Sequence, residues 1–202
     1  MAKEQEKFPW LGVLTNACVL SVNAFSLFQC FPYAGKMIVF FGKAKTKDEA
    51  GYYAGFLGSG FMIGRSLTSL FWGVFADLLG RKKVIVVGCL AMIVFQLMFG
   101  LSQTFETALA SRILLGIFNG LVATAKTIAS EIVPTHRRDW QALSMSTLSA
   151  GVSVASLMGP ALGGWASEPA TQYPGSIFDT PFLRAYPFFL PNLFGALFAF
   201  FA

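Results

Sequence analysis

Six long apolar stretches, separated by short polar segments, are the feature of this sequence that most limits how it can fold. A helix needs about 20 apolar residues to cross the hydrocarbon core of a bilayer, and these stretches are close to that length. Backbone N–H and C=O groups find no water inside lipid, so a crossing segment satisfies them internally as a helix. We therefore predict an all-α integral membrane protein with six transmembrane helices. The stretches cover roughly residues 10–33, with an extension past Pro32 to Phe41, and 52–75, 84–102, 107–132, 141–165 and 185–202.

The composition excludes a soluble domain and a nucleic-acid-binding protein. Hydrophobic residues make up 55% of the chain and charged residues 12%, which is too little charge to solvate a globule of this length. The net charge of +5 comes from cations gathered in short segments between the apolar stretches, without a long basic run. This distribution is typical of the loops of a multi-pass membrane protein, with the lipid bilayer as its main partner.

The sequence shows no pattern of an enzyme active site or of a metal centre. No nucleophile, base and orienting group occur at a plausible spacing. Cys18, Cys30 and Cys89 stand alone within apolar stretches, without the paired spacing of a zinc site or a disulfide framework, and we interpret them as small core residues. We therefore expect no enzymatic activity, no cofactor and no bound metal.

Lys and Arg residues predict which way the helices cross the membrane, because cytoplasmic loops carry an excess of these cations. With the amino terminus inside, the inner side has Lys3, Lys7, Arg81, Lys82, Lys83, Arg137 and Arg138, and the outer side has Lys43, Lys45, Lys47 and Arg184. The excess favours a cytoplasmic amino terminus.

Three cations lie within the apolar stretches, where each costs about 2.5–3.5 kcal/mol on insertion scales and is a functional candidate. They are Arg65, Arg112 and Lys126. At about 100° per residue, Lys126 lies about 40° from Arg112 around one helix, and the stripe between them also contains Gly116, Asn119 and Ala123. We expect this stripe to line a water-filled cavity that attracts an anionic or carboxylate-bearing solute. The alternatives are that Arg112 and Lys126 extend from the two ends of the span toward water, and that Arg65 donates to a carbonyl of a neighbouring helix.

Two amides lie on one face of the first stretch. Asn16 and Asn23 are seven residues apart and therefore about 20° apart around a helix. They either line the same cavity or form hydrogen bonds between helices. The stretch contains no Asp or Glu that could carry a proton.

The segment between the second and third stretches combines an acid, glycines and a cationic cluster: Gly73, Asp77, Gly80, Arg81, Lys82 and Lys83. Gly80 permits a tight reversal, and Asp77 is placed to meet a helix N-terminus or a basic side chain. This spacing resembles the loop between spans two and three of a major facilitator superfamily transporter. The resemblance implies a gating motif. We expect Glu131, at the inner end of the fourth stretch, to pair with Arg81 across the cytoplasmic surface, and a solvated acid at the helix end is the alternative. The alternative is an ordinary loop of a membrane protein.

The fifth stretch contains Gly151, Gly159, Pro160, Gly163 and Gly164. Small residues let helix backbones approach closely, and Pro160 removes a backbone donor, so we expect a bend packed tightly against a neighbour. The pattern resembles the Gly-Pro motif of the antiporter branch of the same superfamily. A helix with small residues for packing alone is the alternative.

A closer resemblance extends from about Pro32 to Pro191. Five segments are similar to the zinc-induced-facilitator-like family: Gly51–Asp77, with Trp72 before the loop, Arg112–Gly120, Ala129–Glu131, Gln141–Leu143 and Gly159–Gly164. The resemblance implies proton-coupled movement of small solutes, including metal chelators and potassium, across vacuolar or plasma membranes. The chain lacks a paired-cysteine motif before its first stretch.

These observations predict that residues 1–202 form the six-span amino-terminal half of a facilitator transporter. The last apolar stretch runs up to Ala202 without a polar cap at its end, so we expect a carboxy-terminal half on a longer chain, or another transporter copy, to form the other wall of the path. The expected function is antiport of protons with a metal chelator, an organic anion or potassium. The alternatives are a multidrug or organic-anion exporter, and a truncated, non-transporting protein that associates with full-length relatives.

Overall fold

A computed structural model describes residues 7–44 and 46–202, apart from the side chains of residues 47 and 48. Lys3 and Lys45, and the side chain of Lys47, which entered the comparison of inner and outer cations, lie outside this description. Within it the chain is helical and has no strand. The helices are α1 (Trp10–Phe28), α2 (Phe31–Phe40), α3 (Lys47–Leu79), α4 (Arg81–Gly100), α5 (Phe105–Ile117), α6 (Leu121–Glu131), α7 (Arg138–Ala166), α8 (Pro169–Gln172), α9 (Pro181–Ala185) and α10 (Phe189–Phe201).

Each predicted stretch corresponds to helix, but the second is longer than expected. Helix α3 has 33 residues and starts where the Thr46 side chain accepts the backbone N–H of Glu49. It ends at Gly80, whose φ of +92° is a conformation that favours glycine. The polar residues beyond the apolar centre of this stretch therefore continue the helix instead of forming loops.

The first and fourth stretches are interrupted, which the prediction of continuous spans did not include. The first breaks at Gln29 and Cys30, close to Pro32, whose ring nitrogen cannot donate to a carbonyl of the preceding turn. The fourth breaks between Ile117 and Leu121. There the Ile117 carbonyl accepts hydrogen bonds from two side chains of α3, at 2.7 Å from Trp72 Nε1 and 2.9 Å from Thr68 Oγ1. Neighbouring helix side chains thus satisfy backbone groups that the break exposes.

Close helix crossings hold the bundle together. Helix α1 packs most extensively against α7, α3 against α5, and α4 against α10. A methyl group at Gly116 would lie 2.2 Å from the Phe61 carbonyl oxygen, and one at Gly64 would lie 2.3 Å from that of Ile113. These clashes mean that α3 and α5 approach backbone to backbone, which a larger residue at either position would prevent.

The surface and helix lengths fit a membrane protein. The segments Trp10–Phe28, Arg81–Gly100, Phe105–Glu131 and Arg138–Ala166 are long and apolar enough to cross a bilayer, and Phe189–Phe201 is a shorter apolar helix. Large apolar side chains face outward, including Leu11, Leu70 and Phe201, each more than four-fifths exposed. The prediction of an all-α, multi-pass membrane fold is confirmed, whereas the number of six crossings stays a prediction.

Candidate functional site

A cavity of about 400 Å³ opens between α1, α3, α6 and α7. Most of its wall is apolar, including Leu20, Phe28 and Leu148. Its polar lining consists of Asn23, Arg65, Lys126, Ser149 and Ser153. This mixture of an apolar wall and a few polar groups is typical of a pocket for a small molecule.

The two cations give this cavity a positive character. Lys126 is exposed and Arg65 is half-buried. Among the described residues, no Asp or Glu lines the cavity, and neither cation forms an ion pair. Within the part of the chain that the structure describes, Arg65 donates no hydrogen bond to a carbonyl of a neighbouring helix, so the geometry does not support that alternative. The cavity therefore presents positive charge that the described residues leave uncompensated.

The two amides of α1 occupy different environments. Asn23 lines the cavity, and its Nδ2 lies 3.7 Å from the Met92 sulfur. Asn16 is buried and its Nδ2 donates to the Ala125 carbonyl at 2.8 Å, which ties α1 to α6. The structure therefore assigns one of the two expected roles to each residue.

The prediction that the residues from Arg112 to Lys126 share one helix face is wrong. The break between α5 and α6 interrupts the helical repeat, so a rotation of about 100° per residue cannot be carried across it. Lys126 faces the cavity, whereas Gly116 packs against α3 and Asn119 is buried. None of Arg112, Gly116 and Asn119 lines the cavity.

Arg112 is enclosed within the helix bundle. Only 1% of its surface is exposed, so the alternative in which it extends to water is wrong. Its Nη1 donates to the Ser26 carbonyl at 3.4 Å, near the end of α1, and its guanidinium lies 4.2 Å from the centre of the Phe99 ring. The carbonyl and the ring face stabilise the cation without a carboxylate.

A second group of buried polar side chains lies between α1, α2, α4 and α10. Asn192 Nδ2 donates to Tyr33 Oη at 3.1 Å, and Gln29 Nε2 donates to Asn192 Oδ1 at 3.3 Å. Gln96 is buried close by, because a methyl group at Gly195 would contact the amide nitrogens of both Gln96 and Gln29. The sequence interpretation missed these residues, although the argument used for Asn16 and Asn23, that an amide in an apolar stretch is informative, applies to them as well.

The expected gating motif lies at the ends of α3, α4 and α6. Arg81, the first residue of α4, contacts Glu131 and also lies 3.3 Å from the Asp77 carboxylate. The expected contact between Arg81 and Glu131 is therefore present. Lys82 is exposed, and Gly73 has open space where a side chain would stand, so neither makes a contact that explains its place in the motif.

The antiporter-type motif of α7 packs against α1, as its small residues led us to expect. A methyl group would lie 2.5 Å from Ser21 Oγ at Gly151, 3.1 Å from the Phe25 carbonyl oxygen at Gly159, and 2.1 Å from that of Gln29 at Gly163. Gly164 faces Pro32, and Pro160 lies inside the helix. This face of α7 therefore packs along α1 as far as the break of α1 at Gln29 and Cys30.

The three cysteines differ in exposure, which corrects their interpretation as core residues. Cys30 is buried and Cys89 is half-buried, but Cys18 is exposed beside an apolar groove between α1 and α7. The three thiols are free.

An ion pair fastens the segment before α10. Arg184 donates to Asp179 at 2.7 Å, and the Gly175 N–H also donates to that carboxylate. The Arg184 guanidinium and this N–H lower the pKa of Asp179, and the carboxylate in turn raises the pKa of Arg184. The pair is exposed and belongs to the loop, apart from the cavity.

Comparisons with known proteins agree with this architecture. Zinc induced facilitator 1 of Arabidopsis thaliana is 40% identical over 91% of this chain and 36% of its own length. Zinc induced facilitator-like 1 of the same plant is 38% identical over 99% of this chain and 41% of its own length. A major facilitator superfamily multidrug transporter of Aspergillus fumigatus is 30% identical over 92% of this chain and 31% of its own length. The chain therefore spans less than half the length of these relatives.

The relatives confirm the resemblance to zinc-induced facilitators, and the Aspergillus relative is named a transporter. A model of the Major Facilitator Superfamily matches residues 12–202, which include the cavity, the gating motif and the glycine-rich face of α7. The chain belongs to the Major Facilitator Superfamily.

Proposed function

We propose that this chain forms the amino-terminal half of a proton-coupled antiporter for a small, carboxylate-bearing solute such as a metal chelator or an organic anion. The observation that carries the proposal is the cavity with Arg65 and Lys126 in its wall and no described carboxylate to neutralise them. Two cations in a partly dry cavity attract an anion and repel a cation. Potassium, one of the solutes suggested by the sequence, is therefore a poor candidate for this cavity.

The other wall of the path belongs, in this proposal, to a carboxy-terminal half or to another transporter copy. Solute sites of such transporters lie near the bilayer midplane between structural repeats, and one half provides only one side. The described acidic side chains of this half lie at helix ends or in loops, so we assign the proton-carrying group to the partner half. We further propose that the amino terminus is cytoplasmic and that the protein resides in a vacuolar or plasma membrane.

The Arg81 cluster would act as a gate in this scheme. Arg81 joins the start of α4 to Asp77 on α3 and Glu131 on α6, so a movement that separates these helix ends must break the cluster. A contact made in only one access state shifts the equilibrium toward that state. The cluster therefore favours the state in which these ends are together.

A multidrug exporter is the second candidate, because the wall of the same cavity is mainly apolar. One relative is also named a multidrug transporter. An exporter of this kind would accept apolar cations or neutral solutes, and it would not depend on Arg65 and Lys126.

A chimera tests the proposal. We would replace the matching part of zinc induced facilitator-like 1 with this chain and measure fluxes of labelled citrate and of tetraphenylphosphonium, driven by a pH gradient, in proteoliposomes. Citrate flux should occur, and Arg65→Gln and Lys126→Gln should each lower the affinity about tenfold, as loss of about 1.4 kcal/mol of attraction implies. Arg184→Gln, which removes a cation outside the cavity, should leave the flux unchanged.

The other possible results of this experiment favour different functions. A flux of tetraphenylphosphonium that is insensitive to both Gln substitutions would favour the multidrug exporter. The absence of pH-driven flux of either probe, in a chimera that reaches the membrane, would overturn the proposal in favour of a non-transporting protein. Saturable citrate flux by the 202-residue chain without a partner half would show that no second wall is needed.

A further inference from the structure

One edge of the enclosed Arg112 guanidinium has no oxygen or nitrogen partner in the protein. Nη1 donates to the Ser26 carbonyl, Nε and Nη2 are buried without a hydrogen bond, and the Cys30 thiol, a weak acceptor, lies beside the guanidinium. These two nitrogens form the edge of the guanidinium that binds an anion side-on through two parallel N–H groups. The residue is 1% exposed, so bulk water does not satisfy this edge.

Other buried polar atoms without partners lie in the helix segments that neighbour Arg112. They are Ser26 Oγ, Gln29 Oε1 and both amide atoms of Gln96. Ser26 also provides the carbonyl that Arg112 binds, and Gln96 lies three residues before Phe99, whose ring Arg112 covers, so both flank the cation. The unsatisfied donors of Arg112, Gln96 and Ser26 therefore come from three helices, α5, α4 and α1.

Burial makes an uncompensated charge at this position costly. A buried ion costs several kcal/mol unless an opposite charge and hydrogen bonds compensate it. The ion pairs among the described residues do not include Arg112, and α1, which runs beside it, has no acidic residue. A neutral carbonyl and a ring face offset only part of this cost. The missing component is a negative charge.

We propose that the Nε and Nη2 edge of Arg112, with the Gln96 amide and the Ser26 hydroxyl, binds a single chloride ion. A monatomic anion accepts hydrogen bonds from several directions and so fits donors contributed by three helices. Arg112, Gln96 and Ser26 are each at most 2% exposed, and such an enclosed position favours a small ion over a carboxylate-bearing solute. The ion ties α1, α4 and α5 together at a place separate from the cavity that holds Arg65 and Lys126.

The test uses the 202-residue chain in detergent. Equilibrium binding of ³⁶Cl⁻ should saturate at one ion per chain. The Tm should rise by at least about 2 °C between sodium gluconate and sodium chloride of equal ionic strength, as ligand binding to the folded state requires. The variant Gln96→Glu places a fixed carboxylate beside the guanidinium, so it should fold and should lose both the chloride binding and the Tm rise.

Two further variants locate the ion. Arg112→Gln should also lose the binding, whereas Arg65→Gln, the same substitution in the cavity, should keep it. If Arg112→Gln does not fold, Gln96→Glu decides. The proposal is overturned if the unmodified chain shows no saturable chloride binding, if Gln96→Glu binds chloride as before, or if only Arg65→Gln abolishes the binding.

Discussion

The enclosed site of Arg112 and the open cavity of Arg65 and Lys126 hold the same type of charge in opposite surroundings. Arg112 is buried against a carbonyl and an aromatic ring, and two of its three guanidinium nitrogens have no hydrogen bond in the protein. Arg65 and Lys126 face a cavity large enough for a small molecule. In the sequence all three are single cations within apolar stretches. The difference teaches that the cost of a charge in a membrane protein depends on the space it faces, which its neighbours on other helices determine.

The largest expected difference between the two sites is the loss of stability when the arginine of each is replaced by alanine. Arg112→Ala should destabilise the chain by about 2–4 kcal/mol, because it removes the donor to the buried Ser26 carbonyl and the contact with the Phe99 ring and opens a void. Arg65→Ala should change the stability by less than about 1 kcal/mol, since its guanidinium makes no hydrogen bond within the described protein. Unfolding of both variants in detergent, monitored by circular dichroism, measures the difference. Equal losses would mean that the two cations are equally structural.

Thiol labelling should show a smaller but clear contrast between the two regions. In a background with Cys18, Cys30 and Cys89 changed to Ala, Ser149→Cys in the cavity should react with a membrane-impermeant methanethiosulfonate about tenfold faster or more than Ser111→Cys. Ser111 is fully buried on the same helix as Arg112, so it is a matched control for the same substitution. Similar labelling rates would show that the cavity is closed to water or that the enclosed site is open to it.

The Arg81 cluster, at the solvent-facing ends of the helices, should show the smallest change in stability when its side chains are replaced. Glu131→Gln and Asp77→Asn should each change the stability by about 0.5 kcal/mol or less, because Arg81 keeps the other carboxylate and the pairs are partly exposed. The double variant should lose more than the sum of the two single changes, which a double-mutant cycle measures. If the two changes are additive, the two carboxylates do not share Arg81. If either single variant loses more than about 2 kcal/mol, the cluster behaves as a buried ion pair, like the enclosed site of Arg112.

The sequence predicted the helices well because apolar length is a local property. The third stretch, expected at 84–102, is a helix at Arg81–Gly100, and the contact of Arg81 with Glu131 followed from charge alone. The break before Leu121 was missed, although the dipeptide Asn119-Gly120 is a turn signal, because its stability comes from Trp72 and Thr68 on another helix.

The arrangement of the site was only partly predictable, because it also depends on contacts between different helices. Arg65, Lys126 and Asn23 were recognised as candidates and do share a cavity. Arg112, Gly116 and Asn119 were placed with them by a helical repeat that the break interrupts. Which polar residue faces a cavity and which faces a neighbouring backbone is decided by the crossing of helices, and a single sequence does not contain that information.

The length of α3 gives it a mechanical consequence. Its 33 residues span about 50 Å at about 1.5 Å per residue, against a hydrocarbon core of about 30 Å. A rotation of about 10° around its midpoint would displace each end by about 4 Å, at about 1.5 Å per residue from the centre. A single residue, Gly80, connects the α3 end to α4, so α4 has almost no slack with which to absorb that displacement. Helix α3 therefore works as a lever: a small rocking of the bundle around its Gly64 contact carries Asp77 and Arg81 together by about 4 Å relative to Glu131 on α6.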